Sequence, residues 1–350
     1  MKRIAYLAAI LTALFIFTGA STVPSISTIK SVPVEVNKAA VAPSVVASST
    51  QSTTAQKKPP EVKIGPPRPI SDAELSTVAN ELSTSLVNIY CEAHLVSGRR
   101  IISGTGVIIS PRGVILTNAH LGQFFLFGDS KAVSCKIRMG NPAVTMYKAA
   151  IIYISPPWME QNRDMLTKES VLGTGEHDIA LLAITDGVGT YTKPSIFPFV
   201  PLGNTIPHKN ERLALMSYAA QYLTNFEINS ALHPTVALEA AQDIYTFGST
   251  TADVMTFAGS TIAQHGSSGG GIVNAKGQLV GMITTSKTDG TFASRIVGAI
   301  TATYIRREFK EQTGTPIDVH IAAPTTVSIA AFASKVPALR ALIAPYVAAR

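Results

Sequence analysis

The 350-residue sequence predicts an all-β protein made of two antiparallel six-stranded β-barrels, with one helix before them and one after. Two observations predict it. Two successive runs of short apolar segments are bounded by turn residues, which is the pattern of small barrels. Two other segments carry helical spacing with start or stop signals, and they bracket those runs. At 46% hydrophobic and 15% charged residues, the chain can bury the core of one large or two small domains.

The N-terminus comes first. Met1-Lys2-Arg3 and the apolar run from Ile4 to Phe17 have the basic and hydrophobic regions of a secretory leader, and Thr18-Gly19-Ala20 is a candidate cleavage site. Residues 1–20 therefore read as a signal peptide, with an uncleaved membrane anchor through 4–17 as the other reading. Either places the folded part outside the cytoplasm: periplasmic, secreted, or anchored and facing outward. No Cys directly follows the run, which speaks against a lipoprotein. Residues 21–70 are rich in Pro, Ser, Thr, Val and Lys and contain no aromatic residue, so a disordered or polyproline-like spacer is expected.

The formal charge of +7 raises the question of nucleic acid. Lys2, Arg3, Lys30, Lys38, Lys57, Lys58, Lys63 and Arg68 stand against only Glu35 and Glu61 before residue 70, which leaves the folded part near +1. No domain-wide basic footprint remains, so no nucleic-acid partner is expected. The two cysteines, Cys91 and Cys135, lack a C-x-x-C spacing and argue against structural zinc. In an exported protein they are expected to form a disulfide, the other reading being two buried thiols.

The folded part is expected over 71–314. Ser71-Asp72-Ala73-Glu74-Leu75 reads as a capped helix start, with Leu75, Val78, Leu82 and Leu86 on its apolar face. The first strand set is 87–91, 101–109, 113–117, 132–137, 148–154 and 179–184. A split near 185–210 precedes the second set at 212–218, 235–240, 243–247, 254–258, 271–274, 278–285 and 292–299. Thr301 to Gln312 reads as a helix, with Gly314 beyond its end. The tail 315–350 is alanine-rich, with Ile329, Phe332, Val336, Leu339, Ile343 and Tyr346 at helical spacing and Pro337 and Pro345 breaking it. It can pack on its own domain or dock on a partner chain or a membrane surface.

Three stretches carry chemistry. Gln264 to Gly271, QHGSSGGG, precedes a strand, an Asn274-Ala275-Lys276-Gly277 turn and a second strand. Such a cluster is an ordinary turn unless a base and an acid elsewhere make a serine reactive. The strand at 113–117 leads to His120. Asp178 stands just before an apolar strand, where its carboxylate can accept a bond from an imidazole. Each also has a plain reading, a core histidine and a turn aspartate. His177 is the rival imidazole, but adjacency to Asp178 on an extended backbone points it the other way.

The order His120, Asp178, Ser268 is that of the chymotrypsin-type triad. The blocks GTGVIISPRGVILTNAH, HDIALLAI and QHGSSGGGIVNAKGQLVGMITTS resemble those of trypsin-like serine proteases, nearest to the HtrA/Deg group, over roughly 71–312. The resemblance implies a chymotrypsin-like fold and an endopeptidase acting on polypeptides without metal or cofactor. It makes Ser268 the nucleophile, His120 the base and then acid, and Asp178 the orienting acid. It puts the oxyanion-hole donors on the backbone N–H groups of Gly266 and Ser268. By position, Ile262, Ala263, Thr284, Thr285 and Ser286 line the specificity pocket; with no acid at its base, cleavage after small or apolar residues is expected. Homo-oligomerisation is possible and not specified by the sequence.

Three departures stand out. Ser267 replaces the Asp that precedes the nucleophile in digestive trypsins, so activation by a salt bridge is not expected. No PDZ-like extension follows Gln312. Gln264-His265 replaces the usual Asn-Pro, and a flipped Gly266 peptide would leave the hole incomplete. Two further readings follow: a protease-fold protein that binds extended peptides but cuts poorly, its site misaligned by Gln264-His265 or covered by the 155–176 loop, and a membrane-tethered sensor protease.

Overall fold

The computed structural model describes residues 70–348, apart from 129, 168–173, 249 and 288–294. The expected leader, tether and spacer lie outside the described residues, except Ile70. Helix α1 (Asp72–Ser85) opens the fold. The Ser71 hydroxyl accepts from the Glu74 N–H at 3.3 Å, and the Glu74 carboxylate accepts from the Ser71 N–H at 3.0 Å. This reciprocal cap satisfies two N–H groups that no helical carbonyl can reach. Leu75, Val78, Ala79 and Leu82 are buried in the main core.

Strands β1 (Leu86–Leu95), β2 (Gly98–Ile108), β3 (Val114–Thr117), β4 (Val133–Met139), β5 (Val144–Ile154) and β6 (Ala180–Gly187) form a closed antiparallel barrel in the order β1-β2-β3-β6-β5-β4. Alternation along β1 sends Val87, Ile89, Cys91 and Ala93 into one apolar cluster. Cys91 faces Cys135 directly across the β1–β4 pair, with their Cα atoms 4.1 Å apart, and the two are joined by a disulfide. That separation is the one that narrow cross-strand pairs provide. Helix α2 (Ala119–Gly122) follows β3, and helix α3 (Pro156–Gln161) follows β5, opening the 155–176 segment with Trp158 and Met159 buried.

The second half contains β7 (Arg212–Ser217), helix α4 (Asn225–Ser230), β8 (Thr235–Ala240), β9 (Ile244–Tyr245), β10 (Val254–Ala258), β11 (Gly271–Val273), β12 (Leu279–Lys287) and β13 (Ile296–Thr301). These strands make a seven-stranded sheet in the order β8-β7-β11-β12-β13-β10-β9. It has one strand more than six, the short β9 being added beyond β10. Its edge strands, β8 and β9, are consecutive in the chain, and the sheet is a half-barrel beside the closed one. Bonds from the Gln242 N–H to the Thr256 carbonyl (2.8 Å) and from the Thr256 N–H to the Asp243 carbonyl (2.9 Å) extend the pairing of β9 with β10. Strand β9 is shorter than the 243–247 run suggests because the buried Asp253 carboxylate takes the Phe247 N–H at 2.8 Å and turns the chain.

Helix α5 (Ala302–Thr313) is capped by Thr301, which accepts from the Tyr304 N–H at 3.1 Å, and it ends at Gly314, φ 73°. The tail then folds as α6 (Ile317–Ala322), α7 (Thr325–Ala333) and α8 (Val336–Ile343). Pro337 lies in the first turn of α8, where no N–H is needed, so it starts a helix instead of kinking one. The tail packs on its own first barrel: Phe332 and Ile343 are buried in that barrel's cluster. The Val96 N–H bonds the Tyr346 carbonyl at 3.0 Å, and the Ala348 N–H bonds the His94 carbonyl at 2.9 Å. No single helix among the described residues is long and apolar enough to cross a membrane.

One core cluster runs through the seam between the halves, joining Val107, Leu116 and Leu181 to Ala214, Met216 and Met282. Burying each of the Val, Leu and Met side chains contributes about 1.5–3 kcal/mol. Arg138 of β4 is also buried and crosses this seam. It donates to the Asn88 Oδ1 and to the carbonyls of Ala143, Ile228 and Asn229 at 2.7–3.2 Å. Burial lowers the pKa of its guanidinium, and these oxygens replace the water it has lost.

Candidate active site

The imidazole comes from the first barrel. Strand β3 ends at Thr117, Asn118 keeps an extended backbone, and the chain turns into α2. His120 therefore lies in the first turn of a short helix and not at a strand end. Asn118 makes no side-chain cap bond to this helix. The Asn118 amide donates to the Asp178 carbonyl at 3.1 Å, tying α2 to the start of β6.

Asp178 sits at the apex of a tight turn closed by the Ile179 N–H on the His177 carbonyl at 2.7 Å. Its Oδ1 accepts from the His120 backbone N–H at 3.0 Å, and its Oδ2 lies 2.8 Å from the His120 Nδ1. An ionised carboxylate only accepts, so Nδ1 carries the hydrogen and Nε2 is left as the acceptor in neutral histidine. Asp178 is 6% exposed, which shields the pair from water. His177 turns away: its Nδ1 bonds the Glu308 carboxylate, and its backbone N–H bonds the Tyr304 hydroxyl at 2.9 Å. Its φ of 60° accomplishes that reversal.

The serine comes from the loop before β11. Four successive carbonyls there are held. The Ala220 N–H bonds the His265 carbonyl at 2.8 Å, and the Thr105 hydroxyl bonds the Gly266 carbonyl at 2.7 Å. The Gly270 N–H bonds the Ser267 carbonyl at 2.9 Å, and the Thr105 N–H bonds the Ser268 carbonyl at 2.8 Å. A trans peptide points its N–H opposite to its C=O, so each hold also aims an N–H. The N–H groups of Gly266 and Ser268 have no hydrogen-bond partner among the described residues. The expected pair of donors is thus unspent, and the Gly266 peptide has its carbonyl turned towards Ala220.

Two glycines are required by this geometry. Gly266 has φ 93°, and a Cβ there would lie 2.6 Å from the Tyr218 carbonyl oxygen. Gly269 has φ 82°, and its Cβ would lie 1.8 Å from the Thr105 carbonyl oxygen. Ser267, fully buried, accepts from the Ser217 hydroxyl at 2.9 Å, so a neutral bond stands where trypsins have a charged one. The Gln264 amide donates to the Thr261 carbonyl at 2.6 Å, while His265 is exposed.

The structure brings His120 and Asp178 into contact. Ser268 is tied to the same wall through Thr105, whose carbonyl accepts from the Thr117 hydroxyl at 2.7 Å, three residues before His120. No hydrogen bond joins the Ser268 hydroxyl to His120 among the described contacts. Ile262 and Ala263 are fully buried, within the cluster of the second sheet. Thr284 is buried too, its hydroxyl 3.4 Å from the Gly298 carbonyl. The side chains of Thr285 and Ser286 lie outside the described residues; their backbone pairs with Gly298 and Val297. No cluster of three or more His, Cys, Asp or Glu among the described residues is placed to hold a metal ion.

Sequence reading missed Thr105 and Tyr218. Thr105 lies between Gly104 and Gly106, glycines that already signalled a close approach, and its hydroxyl accepts from the Tyr218 N–H at 2.9 Å. Burial pushes the Tyr218 phenol up to about 12, so it stays a neutral donor to the Gly140 carbonyl at 2.8 Å.

A family model described as a trypsin-like peptidase domain matches residues 104–282, just over half of the chain. No curated protein sequence matches. Among solved structures, the chain is similar to the active form of the Rv3671c protease from M. tuberculosis. The identity is 16% with a TM-score of 0.44, over 75% of this chain and 96% of that one. It is also similar to that protease's inactive form, at 18% identity and a TM-score of 0.43, over 70% of this chain and 98% of that one.

Proposed function

The chain belongs to the trypsin-like peptidase family, and from that premise we propose that this serine endopeptidase cuts polypeptides with Ser268, His120 and Asp178. The observation that supports this most is the two-point hold of Asp178 on His120, at 3.0 Å to the backbone and 2.8 Å to Nδ1. It fixes the ring and leaves Nε2 free to take a proton.

In this reading the Ser268 Oγ attacks the peptide carbonyl carbon while its proton passes to the His120 Nε2. The oxygen that becomes negative is met by the Gly266 and Ser268 N–H groups, preorganised by the held carbonyls. The C–N bond then breaks and the imidazolium gives its proton to the leaving amine. Water repeats the sequence on the acyl ester and frees Ser268. Asp178 offsets the positive charge on the ring throughout.

None of Ile262, Ala263, Thr284, Thr285 and Ser286 is acidic, which favours small or modest apolar side chains before the cut bond. A peptide-library profile dominated by cleavage after Lys, Arg, Asp or Glu would refute this. The Cys91–Cys135 disulfide fits an oxidising compartment. In this reading residues 1–20 direct export; a mature protein beginning at Ser21 would mark cleavage, whereas Met1 retained on membranes would mark an anchor.

The absence of a hydrogen bond between His120 and Ser268 favours one other reading, a peptide binder of low activity. Such bonds often tighten only with substrate. A fluorophosphonate probe decides between them. Labelling of the purified protein that vanishes in Ser268→Ala supports the peptidase; a folded protein that takes no label supports the binder.

A further inference from the structure

We infer that Thr105, on the first barrel, is a positioning residue that keeps the serine loop of the second in its donor-ready form; this rests on the peptidase reading above. Thr105 is fully buried and holds two of the four carbonyls in that loop. Its hydroxyl donates to the Gly266 carbonyl at 2.7 Å, and its N–H donates to the Ser268 carbonyl at 2.8 Å.

The hydroxyl has one proton, and its destination is forced. The Tyr218 N–H already points at the Thr105 Oγ1 from 2.9 Å, so the oxygen accepts there and must give its hydrogen to Gly266. The hydroxyl thus lies between two supports of the same loop. One is the Gly266–Ser267 peptide itself. The other is the 218–220 segment, whose Ala220 N–H holds the His265 carbonyl at 2.8 Å. Rotating the 265–266 peptide would break the Ala220 bond and drag the Gly266 carbonyl off Thr105. Thr105 braces that arrangement from the first barrel on both sides, through the Gly266 carbonyl and through the Tyr218 N–H that leads to Ala220.

The carbonyl of Thr105 extends the arrangement to the imidazole. It accepts from the Thr117 hydroxyl at 2.7 Å, and Thr117 ends the strand that leads into His120. The neighbours of Thr105 are small for the same reason. A Cβ at Gly104 would fall 2.3 Å from the Leu121 side chain, next to His120, and one at Gly106 would fall 2.6 Å from Ile115. The strand is pressed between the histidine helix and the serine loop, and Thr105 is its only side chain bonded to that loop among the described contacts. Valine would preserve the shape and remove the hydroxyl, leaving the Gly266 carbonyl and the Tyr218 N–H buried without partners.

The test compares Thr105→Val and Thr105→Ser with wild type and Ser268→Ala. The readouts are kcat and KM on a peptide substrate, affinity for a peptide boronate, and fluorophosphonate labelling rate. Loss of one fully formed oxyanion donor costs about 10²–10³ in kcat, and loosening one is expected to cost about 10- to 100-fold. Thr105→Val should lower kcat and boronate affinity together by that factor, with KM changed less than about threefold. Thr105→Ser should restore most of the rate. A Thr105→Val enzyme within twofold of wild type in kcat, or a Ser variant as slow as the Val variant, would overturn the inference. If the Val protein does not fold, Thr105→Cys, whose thiol is a poor donor, is read by the same criteria. Equal labelling of wild type and Ser268→Ala would sink the peptidase reading itself, and this inference with it.

Discussion

The first barrel contributes the imidazole and its carboxylate to the candidate site, and the second half contributes a serine on a loop whose backbone N–H groups are aimed by the fold. On the first, the imidazole of His120 is set by the Asp178 carboxylate, and the fold needs only to bring the ends of β3 and β6 together. On the second, N–H groups are set by where their carbonyls are tied, and glycines occupy φ values that other residues avoid. The two halves therefore differ in how they break. The side-chain half fails when an atom's charge or hydrogen-bonding role is changed and the shape is kept. The backbone half fails when a single methyl group is added and the chemistry is kept. Arg138 shows that the seam between them is itself a polar structure, since it carries a guanidinium from β4 to carbonyls around α4.

The largest effect should come from the side-chain half. Asp178→Asn keeps the volume but turns an acceptor-only group into one that also donates, so the ring is held in the wrong tautomer. In the chymotrypsin-type triad this change lowers kcat about 10⁴-fold with the geometry intact. The same order of loss in kcat is expected here, with KM and melting temperature near wild type. A loss below about tenfold would mean that Asp178 does not orient the working imidazole.

A smaller effect is expected from the backbone half. Gly266→Ala keeps every polar group, yet its Cβ meets the Tyr218 carbonyl at 2.6 Å in a φ of 93°. The loop must shift, and one donor leaves its aim, at a cost of about 10²–10³ in kcat. Boronate affinity should fall in parallel. If kcat is unchanged, the Gly266 N–H is not used in the reaction.

The same contrast decides what could be read from the sequence. Strands were legible because alternation exposes them, as in 235–240 and 254–258, which the structure reproduces residue for residue. Helix α5 was legible because Thr301 and Gly314 mark its ends. The His120–Asp178 contact was legible because both side chains stand in recognisable blocks. Helix α4 was missed although Thr224 and Glu227 form a capping box, because six residues carry no helical period. Thr105 was missed because a threonine in a strand looks like ordinary β-propensity, and its hydroxyl acquires meaning only beside a loop 161 residues away. The His177–Glu308 contact spans 131 residues and has no local signature either. Side-chain function can be written in one place; backbone function depends on what arrives from elsewhere.

The smallest effect tests a carboxylate of the second half that is not among the candidate site residues. Glu239 of β8 has its Oε2 buried with no hydrogen-bond partner among the described residues, and burial raises its pKa, with Ser260 pulling the other way. A raised folded-state pKa means that the native state favours the proton. The resulting stability is fully present below the unfolded value near 4.5 and is lost as pH rises through the folded value. Above that folded value the native protein holds an ionised, poorly solvated carboxylate. Glu239→Gln removes that charge and keeps a group able to bond Ser260. The variant should melt higher than wild type at pH 7, and the gap should close as pH falls to about 4, where wild-type Glu239 is itself protonated. Thermal melts of both proteins across that range check it; an equal gap at every pH would show that the benefit has nothing to do with ionisation.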